Sequence, residues 1–127
     1  MRIGFLGVGW IGRARMQAAI ATGLVREAIV CEPAEDLRRE ALALAPNSLS
    51  VPSYEELLAH RPDGVVIATP SALHAIQSIA ALQAGSAVFC QKPVGRTASE
   101  VAAVVETARA KGLLFDADFC YRGTSAL

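Results

Sequence analysis

Three glycines near the start of the sequence have the spacing of a phosphate-binding turn. They lie in the segment Gly7-Val8-Gly9-Trp10-Ile11-Gly12, which matches G-x-G-x-x-G and directly follows the apolar run Ile3–Leu6. In such a turn the first glycine permits the tight bend, the second lets a pyrophosphate approach the backbone, and the third lets the next helix pack on the strand. Free N–H groups and the positive dipole at the helix start would bind the phosphates. Glycines that serve only as turn residues are the alternative. We expect a dinucleotide to contact Gly7, Gly9, Trp10, Ile11 and Gly12.

An acidic residue after the second apolar run indicates which dinucleotide this is. Glu32 directly follows Ala28–Cys31, and it lies about 20 residues beyond Gly12, the offset at which a carboxylate meets the adenosine ribose. A carboxylate there accepts from two ribose hydroxyls and repels a 2′-phosphate, so the sequence predicts NAD rather than NADP. Arg38 and Arg39 follow closely, but both lie in a predicted helix that needs solvated residues on one face.

Short apolar runs alternate with helix-length segments along the whole chain. This alternation places the glycine turn and Glu32 directly after predicted strands. Further runs occur at Val65–Ala68, Ala87–Cys90 and Leu113–Phe115, with a weaker strand near Ser50-Val51. Continuous apolar runs are typical of strands that are covered on both faces. The pattern predicts an α/β fold with a doubly wound, parallel, six-stranded sheet of order 3-2-1-4-5-6 (a Rossmann fold). Helix ends are marked by capping boxes at Ser53 and Thr97.

Composition excludes several functional classes. The chain has 127 residues, 53% of them hydrophobic, with 12 Lys+Arg against 12 Asp+Glu. That length suits one domain, residues 1–127. A net charge near zero gives no basic surface for nucleic acid or an anionic membrane. Three separated cysteines predict neither a disulfide framework nor a metal site. No targeting segment or membrane span is expected, so a cytoplasmic location is predicted.

Two further segments carry a resemblance to a known family. Thr69-Pro70-Ser71-Ala72-Leu73-His74 follows the fourth predicted strand, and Gln91-Lys92-Pro93 follows the fifth. These two segments resemble the T-P-x-x-x-H and E-K-P segments of the Gfo/Idh/MocA oxidoreductases. The glycine turn at the N-terminus and Tyr121-Arg122, near the end of the sixth strand, are similar to the same family. The resemblance covers essentially the whole chain.

The resemblance implies hydride transfer between NAD and a CH–OH carbon of a sugar, cyclitol or related polyol. Lys92 would be the catalytic residue, bonding the reacting hydroxyl or the nicotinamide ribose. The remaining positions would contact or surround the cofactor: Thr69, Pro70, Ser71, His74, Gln91, Pro93 and Arg122. From the residues themselves, a lysine flanked by Pro93 and Val94 could be partly shielded from water, which suits proton exchange with an alcohol. From the residues alone, Lys92 could equally be a solvated loop lysine and His74 a helix-start histidine bonded to a carbonyl.

Two departures from the family pattern change the expectation. Gln91 stands where the family usually has Glu, which removes a charge near Lys92. The family's C-terminal α/β domain, which forms the far wall of the substrate site, is also absent from the 127 residues. We therefore expect a fragment of a longer oxidoreductase, or a natural truncated product, that binds dinucleotide but turns over substrate poorly. The surface left uncovered would favour self-association into a homo-oligomer.

Two other functions remain open from the sequence. An NAD-dependent glycosidase on the same fold would oxidise its substrate transiently and would not accumulate NADH. A non-catalytic NAD-binding sensor or partner module would fit Gln91 and the missing wall, although the intact Lys92-Pro93 pair argues against it. Net accumulation of NADH distinguishes a dehydrogenase from such a glycosidase.

Overall fold

The structure, a computed structural model, describes residues 1–123. Six strands and five α-helices alternate along these residues. The strands are β1 (Arg2–Leu6), β2 (Glu27–Cys31), β3 (Leu49–Val51), β4 (Gly64–Ile67), β5 (Ala87–Gln91) and β6 (Phe115–Asp118). The helices are α1 (Trp10–Ala21), α2 (Glu35–Leu44), α3 (Tyr54–Ala59), α4 (His74–Gln83) and α5 (Ala98–Lys111), with 3₁₀ turns at Ser71–Leu73 and Cys120–Gly123.

All six strands form one parallel sheet in the order β3-β2-β1-β4-β5-β6. This confirms the predicted doubly wound topology. The sheet reverses its winding between β1 and β4, which are neighbours although two strands separate them in sequence. Ligands of such sheets bind outside the carboxyl ends of the strands at this point. The order therefore brings the exits of β1, β4 and β5 side by side.

Helices cover both faces of the sheet, which explains why its central strands are continuously apolar. On one face, Met16 of α1 and Ala41 of α2 pack with Phe5 and Val30. On the other face, α3, α4 and α5 supply Leu57, Leu82 and Val104, which pack with other side chains of the same strands. Strand residues with side chains on both faces have no solvent side, so polar alternation is absent.

The helix ends follow the predicted caps. Ser53 Oγ accepts from the N–H of Glu56 at 3.1 Å, and Thr97 Oγ1 accepts from the N–H of Glu100 at 3.2 Å. Gly112 adopts a left-handed conformation (φ 63°) directly after α5, where a residue with a side chain would be strained. These local signals set where the strands begin, and hence where their carboxyl ends lie.

The sixth strand was placed too early by its apolar residues. The run Leu113–Phe115 predicted it, but β6 begins at Phe115 and continues through Asp118, and Leu114 is 76% exposed. β6 is an edge strand of the sheet, where the exposed Asp116 costs little. The shift matters because it places the buried Asp118 at the carboxyl end of a strand.

Across residues 1–123, none of the helices combines the length and apolar character that crossing a bilayer requires.

Candidate functional site: a cleft at the carboxyl edge of the sheet

The glycine turn joins the end of β1 to the start of α1, and its three glycines meet different surroundings. A Cβ at Gly7 (φ 80°) would lie 2.8 Å from the carbonyl oxygen of Ala68, and one at Gly12 would lie 2.1 Å from that of Gly7. A Cβ at Gly9 would meet nothing within 4 Å. Gly7 and Gly12 are therefore required by packing, whereas Gly9 keeps open the approach to the backbone. This is the arrangement expected for a pyrophosphate site.

The start of α1 is suited to an anion. Its N-cap is Gly9, and no side chain caps the helix there. The first N–H groups of a helix lack intrahelical partners and carry a partial positive charge. Trp10, the first residue of the helix, is 79% exposed. The residues present thus fit a dinucleotide whose phosphates rest on this helix start.

Glu32 lies against the glycine turn. Its Oε2 accepts from the N–H of Val8 at 2.9 Å, and its Oε1 accepts from the N–H of Ala34 at 3.0 Å. Each carboxylate oxygen can accept a further bond, so ribose hydroxyls can still be received. Arg38 Nη1 donates to the Glu32 carbonyl at 2.9 Å, which places a guanidinium beside the same turn. We call the glycine turn and Glu32 the phosphate side of the site.

A cleft of about 610 Å³ opens at the carboxyl edge of the sheet between α1 and the exits of β4 and β5. It brings together residues from three predicted segments: Trp10, Ile11, Thr69, Ser71, His74, Gln91 and Lys92. Pro70 and Pro93 are exposed in the adjoining loops. These seven predicted positions thus line one cleft, although they come from segments that are far apart in the sequence.

His74 is buried beneath the cleft, with 2% of its surface exposed. Its Nε2 lies 2.7 Å from the carbonyl oxygen of Thr69, and its Nδ1 lies 2.7 Å from that of Pro93. The ring therefore connects the loop after β4 with the loop after β5. Carbonyl oxygens only accept, so both contacts are hydrogen bonds when both ring nitrogens carry a proton. Of the two sequence interpretations of His74, the geometry matches the carbonyl-bonded helix-start histidine.

A buried carboxylate connects the exits of β5 and β6 to α1. Asp118 is 6% exposed, and its Oδ2 accepts from Gln91 Nε2 and from Arg15 Nε. Hydrogen bonding to Asp118 raises the pKa of Arg15 above its ordinary value. Gln91 is therefore in contact with a carboxylate although it does not carry one. Together with Thr69, His74 and Lys92, this group forms what we call the lysine side.

Lys92 projects from the loop after β5 and is exposed. The partial shielding expected from the sequence is therefore not found, because residues 1–123 cover the cleft from one side only. The Lys92–Pro93 peptide bond is cis. Lys92 also borders a second hollow of about 360 Å³, which Phe119, Tyr121 and Arg122 line from the other side.

Arg122 lies outside the main cleft. Its guanidinium stacks on the ring of Phe119, 4.9 Å from the centroid. Trp10, Phe119 and Tyr121 are 79%, 51% and 75% exposed around the two hollows, an unusual density of large apolar side chains on a surface.

Sequence reasoning missed Arg15 and Asp118. Arg15 lies four residues after Ile11, so the helical repeat puts both on the face toward the cleft. Asp118 was hidden by the misplaced sixth strand. Within residues 1–123, no three His, Cys, Asp or Glu side chains are grouped as a metal site would require.

Comparisons with known proteins agree with this geometry. The model of the family described as "Oxidoreductase family, NAD-binding Rossmann fold" matches residues 1–119. An inositol 2-dehydrogenase from Acidiphilium cryptum is 36% identical over 88% of this chain and 34% of its own length. A levoglucosan dehydrogenase from Pseudarthrobacter phenanthrenivorans is 30% identical over the whole chain and 35% of its own length.

Solved structures agree as well. The WlbA dehydrogenase from Bordetella pertussis, in complex with NADH and UDP-GlcNAcA, superposes with a TM-score of 0.88 at 26% identity, covering 98% of this chain and 39% of its own. UDP-N-acetylglucosamine 3-dehydrogenase from Acidithiobacillus ferrooxidans gives 0.85 at 30% identity, with 97% and 40% covered. The chain spans about a third of the length of the two curated relatives. With the glycine turn, the sheet order and the family match in agreement, the chain belongs to the Gfo/Idh/MocA oxidoreductases, of which it is the NAD-binding Rossmann domain.

Proposed function

We propose that this chain is the cofactor-binding part of a two-domain, NAD-dependent oxidoreductase that acts on a CH–OH group of a sugar, cyclitol or related polyol. The observation that carries the proposal is the open backbone at Gly9, at the start of α1, beside Glu32 and a cleft that reaches Lys92. The relatives named above give no support to a glycosidase or a sensor. Residues 1–127 would then be one dinucleotide-binding domain of a longer protein.

The order of the strands supports a placement for each part of the dinucleotide. Glu32 at the exit of β2 would receive the adenosine ribose, and the glycine turn at the exit of β1 would bind the pyrophosphate. Neighbouring strands lie about 4.8 Å apart, so the nicotinamide would reach the exits of β4 and β5. There it would meet Thr69, Ser71 and Lys92.

The bound nicotinamide supplies the chemistry of hydride transfer. The chain's own residues would bind and orient the partners: Lys92 Nζ would hydrogen-bond the reacting hydroxyl and exchange its proton. His74, bonded to the carbonyls of Thr69 and Pro93, would hold the loops on either side of that position. Hydride transfer also requires that water be excluded and the partners held at reacting distance. The exposure of Lys92 therefore suggests that a second domain covers the cleft, and that the 127 residues alone turn over substrate poorly.

Glu32 would favour NAD over NADP, since its carboxylate, which accepts from the N–H groups of Val8 and Ala34, would also accept from the ribose hydroxyls and would repel a 2′-phosphate. A specific observation keeps NADP as a second candidate. Arg38 donates to the Glu32 carbonyl, so its guanidinium is close enough to the turn to attract a 2′-phosphate. The cytoplasmic location and the formation of a homo-oligomer remain predictions.

The test is a titration of the 127-residue chain with NADH, NADPH and ADP-ribose. Trp10 is the only tryptophan, and it lines the cleft, so its fluorescence reports binding directly. We expect NADH and ADP-ribose to bind, NADPH to bind more weakly, and inositol with NAD to yield little NADH. The absence of NAD and NADH binding at millimolar concentration would overturn the proposal. Tighter NADPH than NADH binding would overturn the choice of cofactor.

A further inference from the structure

The carboxylate of Asp118 is buried at a junction of three elements. It ends β6, it accepts from Gln91 at the end of β5, and it pairs with Arg15 on α1. Asp118 is 6% exposed and the Arg15 side chain 30%. A carboxylate removed from water is costly unless charged and polar donors satisfy it. The junction satisfies it with one guanidinium and one amide.

This junction connects the two sides of the site mechanically. Arg15 belongs to the helix whose first turn forms the phosphate side. Gln91 is directly followed by Lys92, so holding the Gln91 side chain also restrains the start of the lysine loop. Between residues 1 and 123, Lys92 has no ion pair of its own. The sheet pairs Gln91 with Asp118 through the backbone, and the side-chain contact between the same two residues adds to that restraint.

We propose that Asp118 is a positioning residue: through Gln91 and Arg15 it fixes the lysine loop relative to the phosphate-binding helix, so that Lys92 faces the nicotinamide end of the dinucleotide. The inference rests on the proposed function. It also accounts for Gln91. A glutamate at that position would put two carboxylates in contact, whereas an amide can donate to Asp118.

The pair can be reversed without changing its size. Gln91→Glu combined with Asp118→Asn moves the carboxylate to β5 and the amide to β6, and the total number of methylene groups is unchanged. Each single change weakens the pair: Asp118→Asn replaces the charged acceptor of Gln91 and Arg15 with a neutral amide oxygen, and Gln91→Glu opposes two carboxylates. Gln91→Met removes the amide from a half-buried side chain and serves if a charge change at the junction impairs folding.

The experiment compares NADH with ADP-ribose, which lacks the nicotinamide, on each variant of the 127-residue chain. We expect each single variant to lose about tenfold in NADH affinity, the effect of one charge-assisted hydrogen bond. ADP-ribose affinity should stay within about twofold of the original, and the double variant should regain most of the lost NADH affinity. The matched control is Glu27→Gln, which removes the Arg2–Glu27 ion pair at the amino ends of β1 and β2. It should leave the affinity for both ligands unchanged.

A purely stabilising role for Asp118 gives a different result. The affinities for NADH and ADP-ribose would then fall together, in parallel with the melting temperature, and this would overturn the inference. Unchanged NADH affinity in all single variants, or a double variant no better than its worse parent, would overturn it as well. If the unaltered chain bound neither ligand, the proposed function itself would fail, which is a separate outcome.

Discussion

The phosphate side and the lysine side of the site are built by different means. On the phosphate side, backbone groups would do the binding: the N–H groups at the start of α1, next to the open Gly9 and supported by Glu32, which directly follows β2. On the lysine side, side chains from distant segments meet, such as Arg15 and Asp118, 103 residues apart. A backbone site depends on the absence of side chains and is therefore robust to most changes. A side-chain network fails when any one partner is lost.

The largest effect should come from a substitution in the glycine turn, and this substitution should weaken cofactor binding without changing the stability of the fold. Gly9→Val would place a side chain where the pyrophosphate is proposed to approach, while nothing in residues 1–123, apart from its chain neighbours, lies within 4 Å of a Cβ there. We expect NADH binding to fall at least about a hundredfold with an unchanged melting temperature. Calorimetric titration and thermal unfolding measure the two effects.

Gly12→Val is the matched control for that substitution. Its Cβ would meet the Gly7 carbonyl oxygen at 2.1 Å, so we expect unfolding to become easier by about 3 kcal/mol or more. Equal melting temperatures for the two variants would contradict the assignment of Gly9 to the ligand and Gly12 to packing.

A smaller effect is expected at His74, which tests how the lysine side depends on its partners. His74→Ala removes a 2%-exposed ring whose two nitrogens lie 2.7 Å from the carbonyl oxygens of Thr69 and Pro93. We expect a loss of about 2–4 kcal/mol in the free energy of unfolding, measured by urea denaturation. His60→Ala, at the opposite edge of the fold, should cost less than about 1 kcal/mol. A similar loss in the free energy of unfolding for both variants would contradict the conclusion that the lysine side depends on the contacts of His74.

A substitution at Glu32 tests the role of the carboxylate on the phosphate side. Glu32→Ala removes the acceptor expected for the ribose and the charge that repels a 2′-phosphate, so NADH should weaken and the preference over NADPH should fall by about tenfold. Fluorescence titration with both cofactors measures the ratio. Glu35→Ala, a nearby exposed carboxylate at the start of α2, should leave that ratio unchanged. An unaltered preference after Glu32→Ala would assign selectivity elsewhere.

The smallest effect concerns the thiols, and it reports on the cleft without mutation. Cys120 is exposed and lines the cleft, whereas Cys31 and Cys90 are buried. Burial raises the pKa of Cys90 to about 11 and also raises that of Cys31, so Cys120 should react first with a thiol reagent at pH 8. NADH should slow that reaction about threefold by occupying the cleft. Mass spectrometry identifies the labelled residue, and labelling of Cys90 first would contradict the structure.

Most of the fold was predictable because its signals are local. Apolar runs, two capping boxes and the glycine-rich turn were each contained within a few residues, and the order of the six strands followed from their alternation with helices. The exception was β6. As an edge strand it carries Asp116 and Asp118 in place of an apolar run, and local hydropathy therefore pointed to residues upstream.

The candidate site was predictable only in part. The sequence placed Lys92, His74 and Gln91 at strand exits, and the structure gathers them around one cleft. Sequence reasoning did not identify Arg15 or Asp118, because an ion pair between α1 and β6 has no signature at either residue. It also expected Lys92 to be shielded from water, which depends on a covering surface that residues 1–123 do not provide.

The sequence by itself determined the Rossmann topology and the position of the glycine turn, and it predicted an acidic residue expected to favour NAD, because each depends on residue type over short stretches of chain. Only the tertiary structure decided which side chains share the carboxyl edge. Hydrogen bonds such as those of Asp118 to Gln91 and Arg15 form between chemically ordinary residues, and their partnership arises from strand order and helix packing.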